Sequence, residues 1–270
     1  MIENKAAQKV WSDLQSIRIR SPLVHNITNY VVMNSTANAL LALGASPVMA
    51  HAPEEVAEMV GIAEAAGGAL VINIGTLSRE WIEGMRIAMR EAAARSVPIV
   101  FDPVGAGATS FRTDTCKSLI AETCPSIIRG NGSEIMALLD EGIKTRGVDS
   151  AHSADSAEES AGELARASSC VVVASGSTDI ITDGRKVLKV NNGHPMMTRV
   201  TGSGCTATAL VGAFASVNAD MITAAFNGMA VMGICGEIAA GRANGPGSLQ
   251  LHLYDAIYNL TDDQIEERLR

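Results

Sequence analysis

The chain has 270 residues, 47% hydrophobic and 19% charged, with 29 acids against 21 bases and a formal net charge of −8. That supplies a core for one large α/β domain, excludes intrinsic disorder, and disfavours nucleic acid and anionic membrane as partners. Aromatics at 3% are sparse for an all-β protein, and five cysteines without a C-x-x-C pair exclude a disulfide framework or cysteine zinc site and point to a reducing, cytoplasmic setting.

The first residues enter an amphipathic stretch with Trp11 and Leu14 and lack the apolar run of an export signal. Short β-prone runs then alternate with helical patterns, as in βα units around a parallel sheet. Strands are expected at Leu23–Thr28, Pro47–Ala50, Ala69–Ile74, Pro98–Val104, Ser126–Arg129 and Cys170–Ser175. Helices are expected at Tyr30–Leu43, Pro53–Ala66, Glu80–Arg95, Thr113–Thr123, Ser133–Leu139 and Ala154–Ala167. Asp179–Thr182, the Asp183-Gly184 turn and Arg185–Val190 read as a hairpin, so an antiparallel edge should follow the parallel strands. Gly202–Val217, Asp220–Ala240 and a C-terminal helical tract complete the chain. Asp220 is the one charge between Thr201 and Gly236, but the glycines and the Asn218-Ala219-Asp220 break there favour two buried helices over a membrane span. Nothing marks a second domain, and residues 1–270 read as one.

Chemistry concentrates at strand ends. Thr201-Gly202-Ser203-Gly204-Cys205 opens a helix, where unpaired N–H groups and the dipole favour an anion such as phosphate. Cys205 stands in that opening, where a thiol pKa is lowered and a base or nucleophile becomes available; a tight helix-start turn with a small buried thiol fits the same residues. Asp102 ends an apolar strand before a glycine-rich loop, placed either to organise a metal or to cap the loop. Arg129 suits phosphate oxygens, while Asn131 and Glu134 suit a hard cation such as magnesium or, equally, a helix capping box. Ser175 ends another strand. His25–Asn29 offers a polar cluster or a structural turn, Met49 a contact or core packing, and Ser248 a structural turn. No P-loop, H-E-x-x-H or G-x-S-x-G motif occurs.

As an ordered set, Pro22–Asn29, Leu43–Ala50, Asn73–Leu77, Asp102–Thr109, Arg129–Glu134 and Thr201–Cys205 resemble the hydroxyethylthiazole kinase family. The resemblance covers about residues 20 to 255 and implies a ribokinase-like fold, mostly parallel with helices on both sides, in a homotrimer with active sites between subunits. It also implies that ATP, with magnesium, phosphorylates the hydroxyl of 4-methyl-5-(2-hydroxyethyl)thiazole, an alcohol salvaged for thiamine. The family's thiazole pocket falls on Asn29, Met49 and Gly202, its nucleotide contacts on Arg129 and Ser175, and its metal region on Asp102 and Glu134 through water. Many relatives have threonine at the Ser175 position. Cys205 takes the place of the catalytic base, where the wider ribokinase superfamily usually has aspartate. Two alternatives are a same-fold ATP-dependent hydro-lyase acting on a hydrated nicotinamide cofactor and a non-catalytic nucleotide-binding protein.

Overall fold

All six expected parallel strands form in the computed structural model, which describes residues 2–139 and 154–270. They are β1 (Leu23–Ile27), β2 (Ser46–Val48), β3 (Ala69–Asn73), β4 (Ile99–Asp102), β5 (Ile127–Asn131) and β6 (Val171–Ser175). β7 (Asp179–Thr182) and β8 (Val187–Val190) add the expected antiparallel edge, and the sheet order is β2-β1-β3-β4-β5-β6-β7-β8. Every residue of β3 and β4 is buried, the pattern of strands covered on both faces.

The covering helices are α1 (Ile2–Arg20), α2 (Met33–Leu43), α3 (Val56–Ala65), α4 (Arg79–Ala94), α5 (Ser110–Thr123) and α6 (Gly132–Leu138). They continue with α7 (Ala154–Ser168), α8 (Ser203–Ala215), α9 (Met221–Ala240), α10 (Pro246–Asn259) and α11 (Asp262–Arg268). Two apolar cores result, one joining the sheet to α1, α2 and α8–α11 and the other joining it to α3–α7. α9 is long and apolar enough to cross a membrane, yet 72% of its apolar window is buried within the fold. Asn227, midway along it, donates to buried Asp13 of α1 at 2.7 Å, so its polar side chain is satisfied from inside the protein.

The departures from the expected boundaries have local causes. α2 begins at Met33 instead of Tyr30, because Asn29 accepts the Val31 N–H through Oδ1 (3.1 Å) and the Val32 N–H through its carbonyl (3.2 Å), making Tyr30–Val32 a turn. α5 begins at Ser110 instead of Thr113, capped by Thr109, whose hydroxyl accepts from Arg112 N at 3.3 Å. β4 stops at Asp102 because Pro103 cannot donate to the ladder. The strand expected at Pro47–Ala50 runs from Ser46 to Val48 and leaves Met49 outside it. A 3-10 helix over Pro195–Arg199, not expected from the pattern, follows the hairpin with Pro195 at its first position. The C-terminal tract is two helices, because Thr261 starts α11 with a capping box to Gln264.

Candidate active site

The carboxyl ends of β1, β3, β4, β5 and β6 meet the start of α8. Gly202 makes the close approach possible: its φ is +82°, and a Cβ there would lie 2.6 Å from Val32 Cγ1. The loop after β1 is thereby pressed onto the entrance of α8, bringing Asn29 to Cys205 across 176 residues of sequence.

A chain of hydrogen bonds runs through this junction. Asn29 Nδ2 donates to Cys205 Sγ (3.6 Å) and to Asn73 Oδ1 (2.9 Å), and Asn73 Nδ2 donates to Asp102 Oδ2 (2.8 Å). Thr208, one turn into α8, donates its hydroxyl to the same carboxylate oxygen at 2.8 Å. Asp102 is 1% exposed. Burial pushes its pKa up to about 6, Glu134's charge adds to the rise, and Arg129, Thr208 and Asn73 oppose it.

Cys205 corrects the sequence-based expectation of a lowered thiol pKa. Burial, and then the charge on Asp102, push it up to about 11, while the amides of Asn73 and Asn29 and the charge of Arg129 pull the other way. The helix start alone favours a thiolate, but the removal of water outweighs it.

On the β5–β6 side, Arg129 Nη2 donates to Ser175 Oγ at 2.8 Å, and Ser175 donates to the Gly130 carbonyl at 3.2 Å. The guanidinium lies against Gly204, where a Cβ would come within 2.8 Å of Nη1. Its Nε is buried without a hydrogen-bond partner. No side chain caps α8, and its first residues, Ser203 and Gly204, border the same space. A buried cation with an unmet donor beside an uncapped helix start is a receptor for an anion. Both border a cavity of about 700 Å³ that Ser175, Gly202 and Ser203 also line.

The metal candidates divide. Glu134 Oε1 accepts from Gly105 N and Oε2 from Asn131 N, each at 2.8 Å, and Asn131 Oδ1 accepts from Glu134 N at 2.9 Å. The capping box is therefore present, and it also ties the loop after β4 to α6. No group of three or more His, Cys, Asp or Glu suited to a metal occurs among the described residues. Met49 is half-buried just past β2, and neither it nor Asn29 borders the cavity that Arg129, Ser175 and Gly202 share. His25 Nε2 donates to the Ala50 carbonyl at 2.8 Å and so fixes the backbone beside Met49; burial lowers its pKa and keeps the ring neutral. Ser248 is the structural turn expected, accepting from Asn244 N and Gly245 N.

Sequence reasoning assigned no role to Asn73, Thr208 or Arg112. Arg112 Nη1 donates to the carbonyls of Ile74 and Val104 (both 2.9 Å) and Nη2 to that of Gly75 (3.0 Å), pinning the loops after β3 and β4. Asn73 sits within one of the matched motifs and ends a strand, which was the available signal.

A ribokinase-like superfamily protein from Enterococcus faecalis V583 is similar in fold, with a TM-score of 0.59 at 12% identity over 87% of this chain and 86% of that one. The pyridoxal kinase from Staphylococcus aureus in complex with AMP-PCP and pyridoxal gives 0.60 at 14% identity, over 80% and 87%. The architecture is thus that of a ribokinase-like protein. The hydroxyethylthiazole kinase family profile matches residues 14–263. The hydroxyethylthiazole kinase of Syntrophus aciditrophicus is 56% identical over 97% of this chain and 96% of its own. The structure of the hydroxyethylthiazole kinase protein from Pyrococcus horikoshii OT3 is 41% identical, with a TM-score of 0.88 over 97% and 98% of the two chains. The chain belongs to the hydroxyethylthiazole kinase family.

Proposed function

We propose that this chain, as a single kinase domain, transfers the γ-phosphoryl group of ATP to the hydroxyl of 4-methyl-5-(2-hydroxyethyl)thiazole, in the salvage of thiamine. The observation that carries the reading is the meeting of Arg129 with the start of α8: a buried guanidinium with an unpartnered Nε, packed on Gly204 next to Cys205. Phosphoryl transfer asks for alignment and for charge stabilisation on the transferring oxygens, with little covalent help. Arg129 and the α8 N–H groups hold the phosphates, with Ser175 keeping Arg129 in place. Asn29, Met49 and Gly202 bound the thiazole alcohol and bring its hydroxyl to Cys205, which takes the proton in its thiolate form.

Asp102 and Glu134 fit a magnesium ion. The charge of Glu134 adds to the cost of ionising buried Asp102, which a divalent cation would relieve. Each Glu134 oxygen already accepts one N–H, so its approach to the ion is through water. When bound, magnesium neutralises charge on the phosphate oxygens. Purified protein incubated with ATP, magnesium and the thiazole alcohol should yield the alcohol's phosphate by mass, and chelation should stop its formation. ATP consumption without that product would overturn the reading.

Arg129→Ala should raise KM for ATP about ten- to a hundredfold, the worth of a lost charged contact of roughly 1.5–3 kcal/mol. KM for the alcohol should stay within a few-fold, because its pocket is built on other strands. Equal loss for both substrates in a folded variant would remove the nucleotide role.

We also propose a homotrimer with shared sites. Tyr30 and Val31, next to Asn29, are 67% and 68% exposed, an apolar pair suited to a neighbouring subunit. Light scattering should give three times the chain mass of 28.1 kDa, and a fully active monomer would exclude a shared site. The five free cysteines and the use of ATP fit a cytoplasmic location.

A further inference from the structure

Arg129, Ser175 and Asp179 stand on one face of the sheet. Ile127, Val173 and Ile181, each two residues away in its own strand, belong to the core that joins the sheet to α8 and α9. Alternation along a strand puts the three polar side chains on that same face. Arg129 pairs with Val173 across β5 and β6, and Ala174 with Ile180 across β6 and β7, so the row steps outward one strand at a time. With strands about 4.8 Å apart, Asp179 lies roughly 10 Å from Arg129 along the sheet, and both border the same cavity.

Asp179 differs from the other polar side chains at this end of the cavity. Ser177 and His194 are exposed, with water for their polar atoms, whereas Asp179 is 8% exposed. Asn192 is also buried, but its amide is engaged: Nδ2 donates to Glu237 Oε1 (3.1 Å) and the Arg268 carbonyl (2.7 Å), and Oδ1 accepts from Arg270 N (3.0 Å). Of the Asp179 carboxylate, Oδ1 accepts from Gly176 N at 3.1 Å, and Oδ2 has no hydrogen-bond partner among the described residues. Burial pushes the carboxyl up to about 6, against the pull of the Gly176 N–H and of Arg129's charge, so the ionised group is short of donors.

A buried carboxylate with an open oxygen on a cavity calls for a ligand that donates. A nucleotide held by its phosphates at Arg129 presents its sugar next, before its base, and the two vicinal hydroxyls of a ribose are such donors. Resting on the kinase reading above, we propose that Asp179 reads the ribose of the phosphoryl donor, its free oxygen accepting from the 2′- and 3′-hydroxyls, so that ribonucleotides are selected over deoxyribonucleotides. The bond from Gly176 fixes the carboxylate at the end of the row for this contact.

The test compares ATP with 2′-deoxy-ATP, 3′-deoxy-ATP and ITP, which keeps the ribose and lacks the adenine amino group. With magnesium and saturating thiazole alcohol, kcat/KM is measured for each donor; separately, ADP and its two deoxy analogues are titrated calorimetrically against the protein alone. In both arms at least one deoxy analogue should be poorer by about ten- to a hundredfold, the worth of a hydrogen bond to a charged group, with ITP within a few-fold of ATP. Asp179→Asn keeps the acceptor for Gly176 N and replaces the free oxygen by an amino group, so its preference for ribose should shrink to a few-fold. Equal use of ATP and both deoxy analogues would overturn the proposal, as would a preference that the folded Asp179→Asn variant leaves intact. A loss confined to ITP would move the carboxylate to the base and overturn it too, as would failure of all three diphosphates to bind. Tighter binding of ADP than of its deoxy analogues, with no phosphorylation by any donor, would sink the kinase reading and leave the ribose contact standing.

Discussion

Cys205→Ala is expected to lower kcat by about 10²–10⁴, the usual worth of a general base, with both KM values and thermal stability nearly unchanged. The pH profile carries the sharper information. Burial and the neighbouring Asp102 hold the thiol at about 11, and the thiolate is the form that accepts a proton. Wild-type kcat should therefore climb about tenfold per pH unit through the neutral range. Cys205→Asp supplies a carboxylate in the same helix start, so its profile should be flatter and its neutral activity equal to or modestly above wild type. Repulsion from Asp102 and from the γ-phosphate limits the gain. An alanine variant that matches wild type at every pH would make the sulfur a packing group and leave the transfer to alignment and charge.

Asp102→Asn should abolish most activity and yet stabilise the protein. A carboxylate raised to about 6 in the fold, against 3.8 for the ordinary group, is one the folded chain would rather keep protonated, even with Arg129 nearby. Below the ordinary value both states are protonated and no penalty exists. As pH rises toward 6 the unfolded chain ionises first and stability falls; above 6 the loss is complete, on the order of 2–3 kcal/mol. The variant should thus exceed wild type in Tm by several degrees at pH 7–8, with the difference fading toward pH 4. Equal Tm values at pH 8 would mean that Asp102 is not held against the fold's preference, and full activity would remove it from the site.

The parallel core was legible because its strands carry unbroken apolar runs punctuated by glycine and proline, and the hairpin because Asp183-Gly184 has few other uses. What escaped was non-local. Helical periodicity runs through Tyr30, but the Asn29 side chain claims the N–H groups that would have begun the helix there. Asn73 and Thr208 find their common partner 29 and 106 residues away, and no local pattern encodes that. The thiol of Cys205 was judged from its helix position, a local property, while its proton affinity is set by the water excluded around it. At Glu134 the sequence offered a capping box and an ion site with equal force; the box is formed, and the second role awaits experiment.

The amide row has one consequence for how this chain can change over time. Asp102 in its ionised form only accepts, so Asn73 must turn its amino group toward it and its oxygen toward Asn29 and the Gly75 N–H. Asn29 is then left with one hydrogen for the sulfur. The row thus parts at Asn29, one hydrogen going to the sulfur and one toward the acidic end, and the orientation of both amides is fixed from Asp102. An aspartate at position 73 would remove the donor to Asp102 and set two carboxylates against each other; an aspartate at 29 would take the hydrogens from both Cys205 and Asn73. Positions 29 and 73, drawn from separate segments, are thus tied through their amides to the carboxylate at 102, and a change of either to an acid is felt at its neighbours.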